Sequence, residues 1–243
     1  MRRACLALGL AVLALVWLGP LLGAYRESFA AHMLAHMGVV AIAAPLLALS
    51  FSPFTGRRWP EGSDEGPRQP QPSMLPLICL PASSPLERGE ARVSALGALP
   101  ILASLVELVV VWFWHAPSMR ALAEGSIAAT AVEQASFLAA GLFLWTACLA
   151  DDRSGRGAFG LLLTSVHMTL LGALLALAPR PLYGSGDVTC FGVTLTAGQD
   201  QQVGGVLMLL IGAAVYLAGG VALLARLLND TGRQDEREAR PAS

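Results

Sequence analysis

The sequence predicts an all-α protein, a polytopic membrane helix bundle of about six transmembrane helices. Three observations carry that expectation. The 243 residues are 55% hydrophobic and only 14% charged, against roughly 25% charged in soluble domains. Six apolar stretches approach the about 20 residues that a helix needs to cross a bilayer: roughly 4–24, 30–52, 93–114, 131–150, 159–179 and 203–228. Arginine, the only basic residue type among the 16 Lys plus Arg positions, is distributed unevenly between the connections.

The first stretch follows Met1-Arg2-Arg3 and ends in "LLGAY". A cleaved signal peptide is the other reading, but the apolar core is long for one and a retained helix is expected. With the N-terminus inside, 13 arginines fall on inner segments, whereas the outer connections hold only Arg26, Arg120 and Arg180. This positive-inside bias predicts that both termini are cytoplasmic. Residues 53–92 are rich in Pro, Ser, Gly and charge, which predicts a loosely ordered cytoplasmic loop, and 229–243 a polar cytoplasmic tail. The run "VGGVLMLLIGAAVYLAGG" in the last stretch predicts close helix packing through small residues. Net charge is -1, so nothing points to nucleic acid. Cys5, Cys79, Cys148 and Cys190 form no Cys-x-x-Cys pair and read as unrelated thiols.

Chemistry concentrates in four histidines. His32 and His36 open the second span at its outer end, His115 closes the third at the same end, and His167 lies within the fifth. At 1.5 Å per residue His167 is about 18 Å below that span's outer end. Residues i and i+4 share a helix face, with side chains roughly 5–6 Å apart, so His32 and His36 can ligate one ion together. Met33 and Met37 form a parallel stripe, and the pairing recurs in His167-Met168. Imidazole with thioether suits copper, above all Cu(I). A bland alternative stands beside this one: Met in a span is ordinarily core filler, and an interfacial His an anchor. Three carboxylates also lie at or within the spans. Glu133 could accept from a ligand imidazole, Asp200 could cap the last helix, and Glu107, inside the third span, needs an unnamed partner. A Gly-x-Ser-x-Gly elbow, a phosphate-cradling loop and a His-Glu-x-x-His motif are all absent from the sequence, so no enzyme is expected.

Taken in order, the segments "HMLAHMGVVAIAAPLLAL", "FWHAPSMRALAEG", "VEQASFLAAGLFLWTACL", "LLGALLALAPRPLY" and "DQQVGGVLMLLIGAAVYLAGGVALLARLL" resemble the CtaG family of multi-span cytochrome c oxidase assembly proteins. The resemblance covers most of residues 25–228. It implies a bacterial inner-membrane protein that helps mature a haem-copper oxidase, with an oxidase subunit as partner and copper handled on the outer side. It also implies that His32, His36 and His115 are motif histidines and that Asp200-Gln201-Gln202 is the polar cap before the last span. Where the family tends to carry His-x-x-Glu-His, this chain has Thr130, Glu133 and Gln134, so two histidines are absent. His167 becomes a candidate compensating ligand. The expected metal set is thus His32, His36, His115, His167, Met33 and Met37, supported by Glu133 and Asp200. Two other readings use the same residues: a b-type haem membrane electron carrier, and a metal-free packing chaperone for oxidase subunits.

Overall fold

A computed structural model describes residues 2–51, 85–150, 155–190 and 192–238, with side chains given for all but 85–97 and 233–238. Most of the predicted 53–92 loop, Cys79 and the end of the tail lie outside the described residues. Helix α1 (Arg2–Leu18) presents Leu8, Leu10, Leu15 and Leu18 outward and buries Gly9, Leu13 and Val16. The chain then turns into α2 (Phe29–Met37), whose N-terminus is capped by the Ser28 hydroxyl accepting from the Ala31 N–H. A π-helical turn, Gly38–Ala43, joins α2 to α3 (Ala44–Phe51) as one 23-residue rod. The most apolar part of this rod is 61% buried, against 22% for the last helix. It is the central element of the bundle.

Helix α4 (Pro85–Trp114) starts eight residues before the predicted span, because a helix carries on past the apolar stretch where its polar turns can be solvated. It breaks at His115-Ala116, and α5 (Pro117–Gly125) leaves at 71° with Pro117 at its first position, where a missing N–H costs nothing. Helices α6 (Ile127–Ala150), α7 (Arg156–Ala176) and α8 (Ala197–Glu238) follow. Between α7 and α8 a short antiparallel hairpin pairs β1 (Asp187–Cys190) with β2 (Val193–Thr196). It is a small addition at the rim of an all-helical membrane bundle.

Among the described residues, four helices are long and apolar enough to cross a membrane, and a fifth if α4 and α5 are one broken span. The predicted count of six is not confirmed. The missing element is α1, whose 17 residues sit at the lower limit of about 17–25 for a span.

The glycine-rich run packs as small-residue helices do in lipid. A side chain at Gly172 would come within 2.9 Å of the Gly205 carbonyl, and one at Gly205 within 2.5 Å of the Ala176 nitrogen. Lower down, Gly219 faces Trp145 and Leu161, and Gly220 faces Leu162. The α7 and α8 backbones touch because nothing stands between them. Polar contacts close the same region. Tyr216 on α8 donates to Glu107 on α4 at 2.8 Å, and the Ser104 and Thr164 hydroxyls meet at 2.8 Å. Tyr216 is the partner for Glu107 that the sequence alone could not name.

Candidate functional site

Two elements bring histidines to the bundle end that the arginine pattern predicts to be outer. The first is α2, held in register by Asp200. This carboxylate opens α8 yet caps the neighbouring helix: it accepts from the Ser28 hydroxyl and from the Phe29 and Ala30 N–H groups. Asp200 is 3% exposed, so the expectation that it caps its own helix is corrected. A carboxylate at a helix N-terminus is favoured by the dipole and by the unpaired N–H groups there.

The second element is the α4–α5 break, which carries His115. Its Nδ1 lies 2.6 Å from the Val111 carbonyl. A carbonyl only accepts, so Nδ1 carries the proton and Nε2 holds the lone pair. That lone pair faces Met33 Sδ at 3.4 Å. Tyr183, from the segment before the hairpin, locks the break by donating to the His115 carbonyl at 2.6 Å while its ring stacks on Phe29 at 4.3 Å. Burial pushes the Tyr183 hydroxyl up to about 12, so it stays a donor across ordinary pH.

His36 completes the cluster. Its ring lies 5.3 Å from that of His115 and 4.1 Å from Phe137 on α6, and it is fully buried. Neither of its nitrogens has a hydrogen-bond partner. Buried polar atoms are rarely left so. His115 Nε2 and Met33 Sδ thus face each other with the His36 ring beside His115, and imidazole with thioether is a donor chemistry that suits Cu(I). Among the described residues no three His, Cys, Asp or Glu side chains gather as a metal site.

His32 sits differently from its i+4 partner. Arg120 Nη1 lies 3.0 Å from His32 Nδ1, and guanidinium only donates, so Nδ1 accepts and the ring proton is on Nε2. Nε2 in turn lies 3.4 Å from Glu133 Oε1. Arg120, His32 and Glu133 form a row of opposite and neutral charge beside the donor cluster. The His32 and His115 rings are still only 6.2 Å apart. Glu133 is fully buried.

Met37 is fully buried on the same helix. His167 is not brought to the cluster. Helices α4 and α7 touch at Ser104–Thr164, an offset of 60 residues, which sets His167 level with Glu107. His115 is eight residues further along α4, or about 12 Å at 1.5 Å per residue. The two positions that depart from the family motif have other surroundings. The Thr130 hydroxyl accepts from Arg26 at 2.8 Å, and Gln134 is buried with no hydrogen-bond partner for either amide atom.

Sequence reasoning missed Arg120, which reads as one of three outer-loop arginines but is 4% exposed. The signal was available: in "PSMRALAEG" the Arg stands four residues before Glu124, with which it pairs at 3.0 Å. Tyr183 and Ser28 were missed because their partners are remote in sequence.

No curated protein and no solved structure matches the chain. The model of one family, described as cytochrome c oxidase caa3 assembly factor, matches residues 1–230. That span takes in every element from α1 to most of α8, including the capped α2, the histidine-bearing break and the Asp200 helix start. This chain belongs to the cytochrome c oxidase caa3 assembly factor family.

Proposed function

We propose that this protein assists oxidase maturation without catalysis, by holding one Cu(I) as cargo at His115, Met33 and His36 and releasing it to an oxidase subunit. The observation that carries this reading is the buried, wholly unpartnered His36 ring beside a His115 nitrogen whose lone pair faces a methionine sulfur at 3.4 Å. The chain's own residues divide the work. Val111 fixes the His115 tautomer, Tyr183 and Asp200 hold the two helices in register, and Glu133 offers negative charge to a captured cation. Thioether is a weak ligand, which favours transfer over permanent storage. A b-type haem is less well supported, because the void beside His32 is only about 10 Å³ and ligand pockets for molecules of that class run to roughly 300 Å³ or more. The protein acts in this reading at the outer face of a bacterial inner membrane, with both termini in the cytoplasm.

Metal and haem analysis of purified protein tests the proposal. Wild type reconstituted with Cu(I) is expected to retain about one ion per chain, and the His36→Ala, His115→Ala double variant to lose it, since two of three donors go. Copper absent from both, with a folded protein, overturns the reading in favour of a packing chaperone. A haem absorption band in the wild type overturns it in favour of an electron carrier.

A further inference from the structure

Arg120 is the most deeply buried cation described, and its surroundings are built rather than incidental. Nη1 occupies His32 Nδ1 at 3.0 Å, while Nη2 reaches the Arg26 carbonyl at 3.1 Å and Glu124 Oε1 at 3.0 Å. Glu124 is one-third exposed. It lines a polar cleft of about 700 Å³ together with Arg26, Glu27 and Asp187. Arg120 itself lines a void of about 10 Å³ together with His32, Arg26 and Thr130, which has room for about one water. The guanidinium thus bridges a wall residue of the cleft, Glu124, and a wall residue of the void, His32.

We propose that Arg120 is a displaceable plug that shuts the passage from the polar cleft to His32 and the donor cluster. What the passage admits rests on the copper reading; the plug itself does not. In the closed arrangement the guanidinium fills the approach and donates to the one His32 nitrogen that has a lone pair. Glu124 marks where it goes when it opens, because the bond to this outer carboxylate survives a swing of the long side chain about its own stem. A cation entering the cleft meets Glu27, Glu124 and Asp187 first, and its charge repels the guanidinium. Thr130 contributes by holding Arg26 through Oγ1 at 2.8 Å, which keeps the second wall of the passage fixed.

The test needs no metal. Full-length protein is treated with diethyl pyrocarbonate, which acylates accessible neutral imidazole, and each histidine is followed by mass spectrometry. His32 in wild type is expected to react slowly. In Arg120→Gln it should react about tenfold faster, since hydrogen bonds from a charged group are lost, and in Glu124→Gln more slowly than in wild type, since the opened guanidinium loses its anchor. His167, remote from the passage, serves as the folding control and should stay protected in all three. Should Arg120→Gln expose His167 as well, the Glu124→Gln comparison decides. Equal His32 rates in wild type and the folded variants overturn the plug. A parallel Cu(I) titration keeps the two ideas apart. Arg120-dependent labelling without copper binding retains the plug and removes the copper reading; copper binding with Arg120-independent labelling does the reverse.

Discussion

The α7–α8 seam and the histidine cluster lie in one bundle and are built on opposite terms. Along the seam backbones touch through Gly172 and Gly205, and the polar groups beside it meet in pairs such as Ser104–Thr164 and Tyr216–Glu107. In the cluster both nitrogens of His36 and both amide atoms of Gln134 lack a hydrogen-bond partner although the side chains are buried, a condition that His167 and the Trp145 indole share nearer the seam. Polar atoms left unpaired out of water are destabilising. The close backbone contact makes the seam scaffold, and in the copper reading the cluster is a place where stability is given up for chemistry. Such local departures from good packing are expected at functional sites.

That contrast can be broken from the scaffold side first. Gly205→Leu forces a side chain into the Ala176 and Gly172 backbones, and overpacking of this kind costs about 1–3 kcal/mol or more. We expect loss of folded protein, read as yield and melting temperature in detergent. Asp200→Ala comes next. It removes the acceptor for one hydroxyl and two N–H groups, and a lost cap costs about 0.5–2 kcal/mol. Because it frees α2, it should also weaken copper retention in equilibrium dialysis, whereas a purely structural role would lower the melting temperature alone. The smallest effect sharpens the comparison most. Met37→Leu and Met33→Leu are volume-conserving and each should cost less than about 1.5 kcal/mol. Only Met33→Leu should reduce Cu(I) retention; equal loss in both would mean that thioethers act merely as core.

The sequence made one kind of information readable and hid another. Helix class, most spans and the glycine packing follow from local composition and periodicity, and the structure has them. Histidines at one end of the bundle were also readable, because span boundaries assign each residue a depth. Hidden were partnerships across the fold. Glu107 and Tyr216 are 109 residues apart, and no local pattern joins them. Asp200 stands where a cap for α8 belongs, yet its oxygens face the start of α2, 170 to 172 residues away. Arg120 counted as an outer-loop arginine because it follows the end of the third apolar stretch; the 71° break after α4 folds it inward instead. His32 and His36 share a face as their spacing requires, but Arg120 and Glu133 give one of them a different occupation.

The π-helical turn just after Met37 has a bearing on how the central rod can be altered. A turn with i→i+5 bonding takes in one residue more than an α-turn, and each added residue advances the helix by about 100°. Helices α2 and α3 thus share an axis but differ in angular phase. Removing a single residue from Gly38–Ala43 would turn α3 by that angle against α1 and α6 while Asp200 held the histidines where they are. Heptad counting carried from His36 into Leu47 would name the wrong face, so length changes, more than substitutions, are the sensitive variable in this segment.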